Sequence, residues 1–424
     1  MKRPLHPSVS TAGPLFAVAA VTLIAATYGL ARLGYGLFLP AFSASFELTP
    51  AVGGLLASGA SVIYCVSAGL GFVYAPRHPR LVTVLAGTTA AVGSAGIAAA
   101  PSTGFFAAAV LLAGMGAGFA SPALVELVQR NTKPIHAAKR QSVVNSGTGF
   151  GVVAAGLLAL AFGSSWRLAW ALIAVIAVAG MVGVLRADVS RFRASSAGGW
   201  DDDGAALERG GQPVRGLGAG RGLRGLGLRE LQRPILAAFV FGIGCAAIWV
   251  YGRTLLEDSG GMPVALSAGA WIALGVGGAA AVLTAPWLAR HSIRLTWPVT
   301  VLATGAATGA MAFAPGSITV SFTTAALFGL AYTAATSVLI IWAGQAAASS
   351  AAGTSVLFIS LILGQAAGSA LTGTLIEAAG YGLAFAVAAA ACGISGLGVV
   401  APARTTPESG ETVRSKYQGQ RSTD

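Results

Sequence analysis

Few residues in this chain can do chemistry, and one of them stands in an unusual place. Residues 26–40 read ATYGLARLGYGLFLP, and Arg32 is the only charge between Pro14 and Phe42. A cation at the centre of a membrane helix costs about 2.5–3.5 kcal/mol on insertion scales, and arginine cannot discharge by losing its proton. Two roles fit it. Its planar donor fork can take a substrate carboxylate or similar anion, or it braces neighbouring helices through carbonyls, Tyr28 and Tyr35. No carboxylate stands near the middle of an apolar run, so Arg32 has no visible counter-ion. Glu126 comes nearest, at the end of its run, with Arg130 four residues later. That spacing suits an interfacial ion pair, or a proton-linked switch at the inner mouth. Glu257, Asp258 and Glu377 fall in outer loops or helix ends.

Other chemistries are poorly provided for. Cys65, Cys245 and Cys392 all lie in apolar runs, and His6, His78, His136 and His291 all lie between them. This leaves no His/Glu or Ser/His pair for an intramembrane enzyme, and no metal site or disulfide is expected. No G-x-x-x-x-G-K-[ST] loop occurs. The expected cofactor list is empty.

Composition decides the solvent in which these residues must be held. The chain is 55% hydrophobic and 9% charged, with a mean hydropathy of +0.75; soluble domains carry about 25% charged residues. Bilayer spans need roughly 20 apolar residues each. Twelve such stretches are predicted: 14–40, 51–74, 81–99, 104–128, 141–162, 166–185, 234–253, 263–289, 295–313, 317–345, 352–375 and 381–400. They are long, unbroken and rich in Ala, Leu and Gly, which favours helices over the ~10-residue alternation of a barrel. With the N-terminus inside, 26 basic residues fall in inner segments with three exceptions: Arg32, Arg167 and Arg253. Lys/Arg excess marks the cytoplasmic side, so a multi-pass protein of the inner membrane with both termini cytoplasmic is expected. The basic pI then reflects loops held against an anionic leaflet and requires no nucleic acid.

The fold class read from this pattern is an all-α integral membrane protein, twelve transmembrane helices in two pseudo-symmetric six-helix bundles. Residues 1–13 form an N-terminal tail, 14–185 the first bundle, 186–233 a flexible Gly/Arg-rich linker, 234–400 the second bundle and 401–424 a C-terminal tail. The GLRGLGLREL end of the linker suits a short helix on the membrane surface. APRHPRL (75–81) and LARHSIRL (288–295) both place Arg-His and Arg-Leu between spans two and three of their half, the echo a duplicated unit would leave.

In this arrangement the chain resembles the major facilitator superfamily. The resemblance covers nearly its whole length. GFVYAPRHPRL keeps the basic positions Arg77 and Arg80 of that family's two–three loop signature, with Gly71 ahead of them, but lacks its Asp and has Pro79 where Gly would stand. GLARLGYGLFLP looks like the first-span pattern of YbfB/YjiJ-type transporters. NSGTGFGVVAAG (145–156) resembles the fifth-span motif of that group and of proton-coupled exporters. The resemblance implies a permease moving a small organic solute, anionic or amphipathic, by alternating access, with export favoured and protons as coupling ion. It also implies that spans 1, 2, 4, 5, 7, 8, 10 and 11 line the cavity. A transporter-like sensor or scaffold that binds without moving its ligand stays open as the alternative. The expected partners are a small-molecule substrate and the lipid bilayer, and the expected unit is a monomer.

The candidate substrate-binding residues are then Arg32, Tyr28, Tyr35, Asn145, Trp249, Tyr251 and Gln365, and the candidate gating or coupling residues are Arg77, Arg80, Glu126, Arg130, Arg290 and Arg294. Pairs of glycines four apart (Gly114/Gly118, Gly147/Gly151, Gly364/Gly368) suit close helix packing in lipid. They also suit smooth faces on which two halves rock.

Overall fold

A computed structural model describes residues 13–163, 165–188, 228–347 and 350–399. Both tails and all but the ends of the expected linker lie outside them. Among the described residues, ten helical stretches are long and apolar enough to cross a bilayer, the last of them Ala352–Val399. In chain order we name α1 (Pro14–Phe46), α2 (Pro50–Tyr74), α3 (Pro79–Ala99), α4 (Thr103–Asn131), α5 (134–162), α6 (Trp166–Ala187), α7 (228–259), α8 (Val264–Arg290), α9 (Ile293–Phe313), α10 (Ile318–Ala346), α11 (350–379) and α12 (381–399). The last two are separate helices that meet directly at Gly380, which leaves helical geometry at φ +80. Helix α9 is less apolar for a visible reason. Thr300, Thr304 and Thr308 each donate to the carbonyl four residues back, at 2.8–2.9 Å, and are buried. Such back-bonding satisfies each hydroxyl within its own helix.

Helix ends follow local chemistry. Thr49, Ser102 and Ser317 cap α2, α4 and α10 by accepting a backbone N–H at 3.4 Å, as N-cap hydroxyls do. Three boundaries differ from the sequence expectation. Helix α1 continues through Pro40 to Phe46 and stops where Glu47 turns left-handed at φ 54. Pro40 forfeits one rung, to the carbonyl of Gly36. Helix α5 starts at Pro134, seven residues early, with a break at Ser146. Helix α7 begins at Leu228, so the expected surface helix is partly its first turn, with Leu231 fully buried.

The packing repeats with a shift of six. α1 meets α5 and α6 as α7 meets α11 and α12; α2 meets α4 as α8 meets α10; α3 meets α4 and α6 as α9 meets α10 and α12. The glycine pairs serve these contacts. A Cβ on Gly118 would lie 2.5 Å from the Tyr64 carbonyl, one on Gly151 2.5 Å from that of Ala25, and one on Gly364 2.0 Å from that of Phe239. All three bind helices of the same half, so they are not the rocking surfaces the spacing suggested. The halves meet instead through α2 on α11 and α5 on α8, with Gly36, Gly54 and Gly373 in contact with backbone of the other half.

The first helix of each half is wound unevenly. α1 is π-helical over Ala25–Arg32, and α7 over Ala247–Tyr251 and again over Leu255–Ser259. Buried Thr27 gives its hydroxyl to the Leu23 carbonyl at 2.8 Å inside the first of these segments. Such π turns are rare and gather at functional sites. Here they bring the two membrane arginines of these helices, Arg32 and Arg253, to the junction of the halves.

Candidate functional site

A small cavity of about 50 Å3 lies between the halves, walled by α1, α2, α7 and α11. It uses four of the eight helices expected. Arg32, Tyr35, Trp249 and Gln365 line it together with Ser61 and Ser369, and the rest of the wall is apolar or small.

Arg32 is not without company, as the sequence suggested. Its Nη2 donates to Gln365 Oε1 at 3.2 Å, and its guanidinium carbon sits 4.6 Å from the centre of the Tyr64 ring, a cation–π distance. Neither Tyr28 nor Tyr35 braces it by hydrogen bonding. Tyr28 exchanges a hydrogen bond with Tyr64 at 2.9 Å, and Tyr35 donates to the Gly53 carbonyl at 2.9 Å. Gln365 is held at both ends, its Nε2 donating to Tyr332 at 3.1 Å. Yet none of these partners is a carboxylate, and Arg32 Nε is buried with no acceptor. The indole N–H of Trp249 is in the same state. An unmet buried donor costs about 1–3 kcal/mol, so these two groups are an uncompensated term in this conformation.

Trp249 belongs to an aromatic cluster. It meets Tyr332, Phe328 and Trp271 edge-on with centroids 5.4, 5.7 and 6.1 Å away. Tyr64, Tyr332 and Phe328 were missed by sequence reading. Tyr64 lies on α2 one turn from Ser61, and nothing in its own neighbourhood of the sequence marks it out. Asn145 is not part of the cavity. Its side chain is exposed at the α5 break and accepts from Gln141 at 2.9 Å.

Both helix starts and ends place Pro14 and Val399 on one face of the bundle, here the terminal face. Hydrogen bonds joining the halves gather toward the opposite face. Tyr251, on the far side of the cavity, donates to the Pro50 carbonyl at 2.8 Å, and Ala51 N–H reaches Glu377 at 3.3 Å. Arg253 is 4% exposed. It donates Nε to Ser267 at 3.0 Å and Nη1 across the halves to the Leu37 carbonyl, and it pairs with Glu257 at 2.7 Å. Sequence reading set both charges aside, as a topology exception and a loop residue. Their i,i+4 spacing was the available signal.

The same spacing failed elsewhere. Glu126 and Arg130 do not pair; Arg130 Nη2 donates instead to the Pro76 carbonyl. Arg80 binds Asp188 at 2.7 Å, and Asp188 also accepts from Asn131 at 2.8 Å. An acid from α6 thus stands where the two–three loop has none, but the cluster ties α3, α4 and α6 within one half. Arg77, Arg290 and Arg294 are exposed. For Asp188→Asn we expect a loss of about 1–2 kcal/mol, limited because Arg80 regains water. It should appear as a lower melting temperature of the purified protein, with ligand affinity unchanged.

Comparison with known proteins follows this geometry. The profile described as Major Facilitator Superfamily matches residues 21–362. Among solved structures, a bacterial homologue of the human lysosomal transporter Spinster, in an inward-facing and unoccupied conformation, superposes with a TM-score of 0.63 at 18% identity, covering 91% of this chain and 95% of that one. A D-xylose–proton symporter gives 0.69 at 13% identity, covering 91% and 97%. A POT family transporter in complex with 5-aminolevulinic acid gives 0.69 at 12% identity, covering 91% and 95%. No curated protein matches. At these identities the likeness is one of fold.

Proposed function

Because this chain belongs to the major facilitator superfamily, a family of membrane transporters rather than enzymes, we propose that it is a secondary active permease for a small organic anion. One observation carries this reading. Arg32 stands in the wall of the cavity between the halves with a buried, unmet N–H, and no Asp or Glu lines that cavity. An anionic solute supplies the missing charge and acceptor together.

Transport proceeds by alternating access. The contacts of Tyr251, Arg253 and Ala51 belong to a state closed at the opposite face. The distribution of Lys and Arg supports cytoplasmic termini, which makes that face the outer one and the described conformation inward-facing, in a bacterial inner membrane. The first-span pattern around Arg32 supports the YbfB/YjiJ-type branch. The fifth-span likeness to proton-coupled exporters supports efflux driven by protons, with a monomer as the working unit.

The test is counterflow in proteoliposomes. With Arg32→Gln, flux of the transported anion is expected to fall about 10–100-fold, the worth of a charge-assisted bond, while Arg32→Lys keeps part of it. Saturable binding by the wild-type protein without any counterflow would overturn transport in favour of a sensor. Full flux through a normally accumulating Arg32→Gln would overturn the anion site.

A further inference from the structure

We infer that the solute is a monocarboxylate with a compact, flat apolar body, of the kind represented by benzoate, and that zwitterions and dicarboxylates are rejected. This rests on the permease reading and concerns the same cavity.

The number of charges comes first. Arg32 is the single charged side chain in the lining. A second carboxylate on the ligand would be left without a cation, and an ammonium without an acid, each a heavy penalty once the two halves close over the ligand. Amino acids and dicarboxylates therefore both leave one charge uncompensated.

The open groups come next. Tyr35 donates to Gly53, Ser369 donates to the Gln365 carbonyl at 2.7 Å, and the Gln365 amide is used at both ends. Two buried donors from opposite halves are unmet in the wall, Arg32 Nε and Trp249 Nε1, and Ser61 adds a hydroxyl. Trp249 is 8% exposed. Helices α1 and α7 touch between them, since a Cβ on Gly36, one turn beyond Arg32, would lie within contact of the Trp249 carbonyl. Two N–H groups that can only donate fit a group that only accepts, and a carboxylate has two oxygens to offer. In the bound state one carboxylate takes both.

The body follows from the rest of the wall. Besides these groups it is formed by Gly, Ala, Leu and Val, with the edge-packed rings around Trp249 behind it. Such a slot admits a flat apolar group. Because the carboxylate joins an α1 donor to an α7 donor, the ligand also links the two halves.

The experiment is equilibrium binding to the purified full-length protein, read as thermal stabilisation, with benzoate, benzamide, phenylalanine and phthalate. Benzoate is expected to bind at least tenfold more tightly than each of the other three. Trp249→Phe, which keeps the ring and removes the donor, is expected to weaken benzoate about three- to tenfold and to leave benzamide unchanged. Arg32→Gln is expected to abolish the preference for benzoate over benzamide. Equal binding of benzoate and benzamide overturns the inference, as does a preference for phenylalanine or phthalate, or binding by none of the four. The Trp249→Phe comparison keeps it falsifiable if Arg32→Gln does not fold. Counterflow of benzoate is read separately. Selective binding without flux overturns the permease and leaves the ligand class standing, whereas flux of another solute with no benzoate selectivity does the reverse.

Discussion

Arg253→Gln is expected to open the face opposite the termini. The guanidinium is buried and serves three partners: Glu257, Ser267 and the Leu37 carbonyl. Removing it leaves the Glu257 carboxylate, whose side chain is 16% exposed, without its cation. Breaking a buried pair from one side costs about 3–5 kcal/mol. That loss divides into two parts. The pair with Glu257 lies within α7 and is lost in every conformation. The bond to Leu37 crosses the halves and is lost from the closed state alone. A hydrogen bond from a charged donor contributes about 1.5–3 kcal/mol, which moves a two-state equilibrium about 10–100-fold. Spin labels at Glu47 and Ser259, on either side of this junction, should report a population at longer distance in the variant. Adding Glu257→Gln should recover much of the melting temperature and none of the closure. An unchanged distance distribution in the single variant, or recovery of closure in the double, would show that Arg253 is not the latch.

Gly36→Ala and Gly364→Ala should have opposite signatures although their steric load is the same. Each new methyl carbon would meet a backbone carbonyl, that of Trp249 at 1.9 Å for Gly36 and that of Phe239 at 2.0 Å for Gly364. Neither can be relieved by turning a side chain. Overpacking of this kind costs about 1–3 kcal/mol or more. Gly364 packs α11 on α7 inside one half, where the helices cannot part without losing their core, so the expected result is low yield and a lower melting temperature. Gly36 packs α1 on α7 between the halves. There the two bundles can move apart as bodies, so the expected result is nearly normal yield, widened Glu47–Ser259 distances and counterflow reduced more than about tenfold. Equal loss of yield in the two variants would mean that the junction is as rigid as the bundle interior.

The contrast between these glycines also shows what was legible in the sequence. The helices were, because a bilayer imposes length and hydropathy on every span. Gly380 was nearly so: the expected boundary fell between 375 and 381. The role of each glycine was not. Spacing four apart announces a flat face, and only the neighbour across it decides whether that face holds a half together or separates two. Gly36, which has such a neighbour in the other half, belongs to no pair of this spacing that drew notice. Charge followed the same rule. Arg253 with Glu257 and Glu126 with Arg130 have identical spacing, yet only the first pair is formed, and Arg130 donates instead to the Pro76 carbonyl. Arg32 was found because desolvation makes a lone membrane charge conspicuous. Its partners Tyr64 and Gln365 lie on α2 and α11, 32 and 333 residues away, and no local pattern joins them.

The uneven winding of α1 and α7 has a mechanical meaning. A π turn carries one residue more than an α turn of the same helix. If that surplus residue passes along the helix, the side chains it leaves behind swing by about 100° around the axis, while both ends of the rod stay where the membrane surfaces hold them. Each half thus keeps slack in the one helix that bears its junction arginine. Arg32 closes the first slack segment and Arg253 sits between the two in α7. Either guanidinium can be re-aimed by twisting a few residues of its own helix, without dragging a whole bundle through lipid.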